Sequence, residues 1–220
     1  MLLTLAQRLA RLDAVLFDLD GTLIDTVDLI LSSFRHATRE VLGHPLPDEE
    51  MMAGVGMPLI EQMRGFSAEH ADELLRVYRM HNAEAHDRMA REYPGTEEVL
   101  TELQGRGLPM GVVTSKGTPM ALRGLRLFDL ERFFGVVVTA DDVDLHKPDP
   151  FPLRRAAQLL GVDIERCVYV GDSPHDMLSA ISAGAVSIAA LWGAFPAEQL
   201  LAPGPDLALG SLTELPALLG

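Results

Sequence analysis

Five short apolar runs, at 14–18, 110–114, 135–139, 168–172 and 186–191, punctuate this chain. Runs of this length without polar alternation are how strands buried on both faces read. Helix-patterned stretches at about 96–106, 118–127, 149–161 and 174–184 lie between and beside them. That rhythm predicts an α/β fold, a parallel sheet covered by helices on both sides. The 220 residues suffice for a substantial core. In open sheets of this kind ligands gather beyond the carboxyl ends of the strands. Asp18, Thr114 and Asp172 fall at those ends.

The interval between the first two strands is too long for one crossover. Residues 26–92 read as helices at 26–42, 47–53, 57–64 and 67–92, with no convincing strand. They are expected to form an inserted all-helical cap. The division is 1–24 and 93–220 for the core and 25–92 for the cap, with Thr22–Thr26 and Arg91–Gly95 as the two connections. Pro94-Gly95 marks the second boundary. Leu74, Leu75, Tyr78 and His81 share a helical face, and Met51, Met52, Met57, Met63, Met80 and Met89 are expected to act as adaptable packing. The loop Gly54-Val55-Gly56-Met57-Pro58 is flexible and precedes a helix, a place from which it could reach over the site, but it lacks a phosphate-loop pattern and reads first as an ordinary turn. Met1 to Arg11 reads as a short terminal helix, too short and polar in its apolar part for a secretory signal.

Phe17-Asp18-Leu19-Asp20-Gly21-Thr22 follows the first run. Two carboxylates two residues apart at a strand end point to the same side. At ~4 Å and an effective dielectric of ~20 their repulsion costs about 4 kcal/mol. A divalent cation or a shared proton must offset it. Three further segments carry candidate chemistry. Thr114-Ser115 ends the second run in two hydroxyls, and Lys116-Gly117-Thr118-Pro119 then opens a helix with Thr118 as the expected N-cap. His146-Lys147-Pro148-Asp149-Pro150 places a lysine ahead of a proline-started helix. Gly171-Asp172-Ser173-Pro174-His175-Asp176 puts one acid at a strand tip and another in the first helical turn, where the helix dipole favours it in any case.

The net charge of −14 argues against nucleic acid or an anionic membrane as a partner. An acidic protein that handles phosphate must concentrate cations at one spot. Lys116 and Lys147 are the only two lysines, so each invites a question. One cysteine, Cys167, excludes an internal disulfide framework and is expected to be a buried hydrophobe in a reducing, cytoplasmic setting. No apolar run approaches the length of a membrane span.

Taken together, Asp18-x-Asp20-Gly21-Thr22, Thr114-Ser115, Lys147-Pro-x-Pro and Gly171-Asp172-x-x-x-Asp176 resemble, in order and spacing, the four motifs of the haloacid dehalogenase-superfamily phosphohydrolases. The resemblance covers essentially the whole chain and implies a Rossmann-like core with a helical first-class cap. It further implies that Asp18 is the nucleophile and Asp20 the general acid and base. Thr114, Ser115 and Lys147 would hold the phosphoryl group. Mg²⁺ would be bound by Asp18, the Asp20 backbone carbonyl and Asp172, with Asp176 a direct ligand or an orienting group. The implied partner is a small phosphorylated substrate, for a monomer or homodimer.

Sister activities fit less well. Dehalogenases of the superfamily lack the second aspartate, present here as Asp20. Phosphonatases need a cap lysine, and residues 26–92 contain none. Thr22 argues mildly against sugar-phosphate mutases. The remaining group is phosphoglycolate phosphatase-like. Tyr78-Arg79-x-x-Asn82-x-x-x-His86-Asp87 and Glu92-Tyr93-Pro94-Gly95, with Leu23-Ile24-Asp25-Thr26, are similar to its bacterial pyrophosphatase branch. Pyrophosphate or 2-phosphoglycolate is the expected substrate, with a catalytically idle phosphate-binding module as the alternative. Arg64, Arg79, His81 and His86 are candidates to meet a second anionic group. His81 and His86, five apart, do not share a helix face well and are not expected to bind metal.

Overall fold

A computed structural model describes residues 3–219. After a short helix α1 (Leu5–Leu9), strand β1 (Ala14–Phe17) enters the middle of a six-stranded sheet. Its partners are β4 (Met110–Val113), β5 (Val136–Val138), β6 (Cys167–Gly171), β7 (Val186–Ala190) and β8 (Leu207–Leu209). All pair in parallel in the order β5-β4-β1-β6-β7-β8. The chain runs outward from β1 through β4 to β5, then crosses back to the other side of β1 for β6, β7 and β8. This reversal opens a crevice at the carboxyl ends of β1, β4 and β6.

The period of two in each strand sends successive side chains to opposite faces. Val15 and Phe17, with Val168 and Val170, face helices α6 (Thr96–Gly105), α7 (Thr118–Leu127) and α11 (Leu215–Leu218). Ala14 and Leu16, with Cys167 and Tyr169, face α8 (Phe151–Leu160) and α9 (Pro174–Ala183). A smaller cluster joins α9 and β7 to α10 (Ala197–Leu201) through Met177, Ala189 and Leu200.

Between β1 and β4 lie α2 (Val27–Leu42), α3 (Asp48–Met52), α4 (Leu59–Phe66) and α5 (Ala71–Met89). They build a separate core around Phe34, Met51, Met63, Leu74 and Tyr78. Met51 and Met63 pack fully inside it, whereas Met80 is 61% exposed and does no such work. Two short strands, β2 (Ile24–Asp25) and β3 (Arg91–Glu92), pair antiparallel where the chain enters and leaves this insert. Residues 91–92 were therefore wrongly expected to be helical: the last helix ends at Met89, and the two connections are hydrogen-bonded to each other.

Candidate active site

Asp18 and Asp20 follow β1 directly. Leu19 O accepts from the N–H groups of Thr22, Leu23 and Ile24, so the backbone turns back on itself immediately beyond the pair. Gly21 makes this turn possible at φ 79°, and a Cβ there would lie 2.1 Å from Asp172 Oδ2. Gly193 approaches Asp172 from another side, where a Cβ would fall 2.1 Å from the Asp172 Cβ. Asp172, one residue beyond β6, is thus cradled between two backbones. It accepts from Ala194 N at 2.7 Å and from Thr22 Oγ1 at 3.3 Å.

Asp18, Asp172 and Asp176 are all buried, and each offers an oxygen within 4.8 Å of the others. Asp176 is the N3 residue of α9 and forms a capping box with Ser173. Its Oδ2 accepts from Ser173 N at 3.0 Å and Ser173 Oγ at 2.5 Å, while Oδ1 accepts from Tyr169 at 2.8 Å and Lys147 at 2.6 Å. Lys147 also donates to the Tyr169 hydroxyl at 3.0 Å. It lies 3.0 Å from Asp18 Oδ1, at ion-pair distance but off the direction of a hydrogen bond, which leaves that oxygen buried without a donor.

Three buried carboxylates face one buried ammonium. Burial pushes the Asp18 carboxyl up and Asp176 adds to the rise, with Lys147 opposing both. Burial likewise pushes Asp172 well up, reinforced by Asp176 and Asp18. For Asp176 burial is outweighed by Lys147 and by the Ser173 and Tyr169 hydrogen bonds, so its pKa falls. For Lys147 burial is outweighed by Asp176 and Asp18, so the ammonium is held above its ordinary value. The cluster is short of positive charge, and its donor set is all oxygen. A hard divalent cation fits both facts.

Thr114 and Ser115 follow β4 on the other side of the crevice. Thr114 Oγ1 accepts from Lys116 N at 3.1 Å, and Ser115 Oγ donates to Gly56 O in the insert at 2.6 Å. The Gly54–Pro58 loop is therefore no ordinary turn; it reaches the core and touches a candidate site residue. Thr118 is not an N-cap. Gly117 takes that place, and Thr118 instead shares a hydrogen bond with Thr139 at 2.7 Å.

Asp20 is separated from the acidic cluster by its partners. Lys116 Nζ lies 2.7 Å from Oδ1 and 2.9 Å from Oδ2, and Thr26 donates to Oδ1 at 2.6 Å. Lys116 and Thr26 were given no site role on sequence grounds. The scarcity of lysine was the one available signal. Of the insert's candidates, Arg79 lines the crevice, while exposed Arg64 pairs with Glu61. His81 stacks on His36 at 4.6 Å between ring centroids. His86 is fully buried and bonds Asp87 at 2.9 Å.

The crevice between sheet and insert is a cavity of about 640 Å³. A parallel six-stranded sheet with two aspartates beyond its central strand, and an acidic cluster only partly offset by one lysine, defines a hydrolase of the phosphoryl-handling kind. Residues 15–190 match the family described as haloacid dehalogenase-like hydrolase, and the chain belongs to it. It is similar to the pyrophosphatase PpaX of Bacillus velezensis, 39% identical over 93% of this chain and 95% of that one. It is similar also to the pyrophosphatase PpaX of Bacillus pumilus, 38% identical over 96% and 98%. Among solved structures, a haloacid dehalogenase-like hydrolase from Streptococcus pneumoniae matches with a TM-score of 0.84, 26% identity and coverage of 96% and 99%.

Proposed function

We propose that this phosphohydrolase releases phosphate from inorganic pyrophosphate or 2-phosphoglycolate through an aspartyl-phosphate, with Mg²⁺ as cofactor. The observation that carries the reading is the separation of the two aspartates into different environments. Asp18 faces Lys147 and the acidic cluster, whereas Asp20 turns to Lys116 and Thr26. Two carboxylates so divided suit two roles.

Asp18 attacks phosphorus, and the bond to the leaving oxygen breaks. Asp20 gives that oxygen a proton, then takes one from the water that cleaves the aspartyl-phosphate. Thr114, the Ser115 N–H and Lys147 hold the phosphoryl oxygens. Asp18, Asp172 and the Asp20 backbone carbonyl would hold Mg²⁺. When bound, the ion supplies charge that offsets the carboxylates and polarises the phosphoryl group. Asp176, whose oxygens are occupied by Ser173, Tyr169 and Lys147, fits an orienting role better than direct ligation. Residues 25–92 act as a cap that excludes bulk water on closing.

The pyrophosphatase name of the relatives favours pyrophosphate among the two substrates. The test is phosphate release from both compounds with and without Mg²⁺, by the parent and by Asp18→Asn. Turnover is expected only in the parent with Mg²⁺. Full activity in a folded Asp18→Asn protein would overturn the reading.

A further inference from the structure

The cavity over the site is larger and more apolar than an inorganic substrate uses. About 640 Å³ lies within the ~300–1,000 Å³ range of pockets that enclose drug-sized organic ligands. Its floor is the aspartate site. Its walls include Ile30, Phe34, Leu59, Ile60 and Tyr78 from the insert and Met120 from α7. The leaving phosphate of pyrophosphate has no apolar surface to set against these side chains. It would call for cations and N–H donors.

Such groups are sparse on the insert's side. Arg79 is its one cation on the cavity wall among the described residues, and it is exposed. Polar side chains there are turned to their own neighbours. Gln62 donates to Met51 O at 2.5 Å, and Asn82 to Ser33 Oγ at 3.3 Å and to the Tyr78 hydroxyl at 3.4 Å. Lys116, from the core side, is engaged by Asp20. Apart from Arg79 and, on the core side, His146, what remains free to meet a leaving group is largely hydrocarbon.

We propose that the enzyme also hydrolyses organic phosphate monoesters whose leaving alcohol carries a compact apolar body, seated against Ile30 and Ile60. This inference rests on the phosphohydrolase reading above. The reaction is the same: Asp18 takes the phosphoryl group, the ester P–O bond breaks, and the alkoxide leaves with the proton from Asp20. Only the binding of the alcohol is new.

The experiment compares kcat/KM for ethyl phosphate and 3-phenylpropyl phosphate, with pyrophosphate run alongside. Both leaving groups are primary alcohols of similar acidity, so intrinsic reactivity does not separate the esters. The phenylpropyl ester is expected to be favoured by at least about tenfold, the scale on which an apolar pocket discriminates. In Ile60→Asn and Ile30→Ala that ratio should fall several-fold toward unity, and Ile60→Leu should retain it. A ratio measured within one preparation is indifferent to the fraction folded. Equal rates for the two esters beside active pyrophosphate hydrolysis would overturn this inference alone. A preference that persists in both Ile60→Asn and Ile30→Ala would also overturn it. No phosphate release from any of the three compounds would overturn the phosphohydrolase reading with it.

Discussion

Lys116 grips Asp20 across the crevice, with Nζ 2.7 Å from one carboxylate oxygen and 2.9 Å from the other. Thr26 completes the hold at 2.6 Å, so the carboxylate is fixed from the core and from the insert's entry point together. A group that passes protons to a leaving oxygen must be placed to within a fraction of an ångström. Misplacement by about 1 Å can cost ~10²-fold. Lys116→Met is therefore expected to lower kcat by roughly 10- to 100-fold while Mg²⁺ activation persists. Thr26→Val should act in the same direction with a smaller loss. Steady-state kinetics of the two variants decide the matter, and unchanged kcat in Lys116→Met would remove Lys116 from this role.

Lys147 faces a different demand. It is 3% exposed and lies within ion-pair reach of both Asp18 and Asp176. Removing it leaves buried carboxylates without their counter-charge. Loss of one partner from such a set typically costs ~3–5 kcal/mol. Lys147→Met should be destabilised on that scale in urea unfolding and should lose turnover. A stable Lys147→Met protein would show that solvent or protons neutralise the cluster unaided.

Asp172 gives a prediction of opposite sign. Without metal, its burial beside Asp18 and Asp176 makes the ionised form costly. Asp172→Asn removes one carboxylate yet keeps an amide oxygen for Ala194 N and an N–H for Thr22 Oγ1. Its metal-free Tm should rise by a few degrees, at about 2–4 °C per kcal/mol for a chain of this size. The parent should gain stability with Mg²⁺, by about 2.7 kcal/mol at a hundred times the Kd, and Asp172→Asn should not. Thermal scans in EDTA and in millimolar Mg²⁺ supply both readings. A parent Tm insensitive to Mg²⁺ would count against the metal assignment.

The sheet was readable because its strands are continuous apolar runs bounded by turn residues. β8 escaped notice: Leu207–Leu209 is three residues long, lies at the sheet edge and buries only Leu209 fully. The acidic cluster was readable because Asp18 and Asp172 sit at strand ends and Asp176 in the first helical turn beyond one of them, where topology alone brings them together. Lys116 was not, because its role depends on a side chain reaching Asp20, 96 positions earlier in the chain. Helical periodicity likewise gives the insert's helices but not the path of its loops. The glycines of Gly54–Pro58 hint at a loop able to reach over the site, but they do not name Ser115 as the partner of Gly56 O. Thr118 looked like a cap from its residue type, and backbone geometry gave the position to Gly117.

His86 offers a test of pH dependence. It is fully buried at the junction of α5 and α7, facing Asp87 and Arg123, with Lys116 and Asp20 close enough to act on its charge. Asp87 accepts from Nδ1 at 2.9 Å, so Nε2 is the bare nitrogen, and it is buried with no partner. Protonation would place an N–H there with nothing to receive it. Burial accordingly lowers the His86 pKa, with the Asp87 bond opposing and Lys116 and Arg123 assisting. The unfolded chain then binds the proton more readily than the folded one. Stability linked to His86 is fully present above the unfolded value of about 6.5 and is lost as pH falls from there through the lower folded value. In His86→Gln the decline of Tm between pH 7.5 and 5.5 should be shallower than in the parent, whatever the variant's absolute stability. Parallel slopes in the two proteins would show that His86 takes up its proton as easily folded as unfolded.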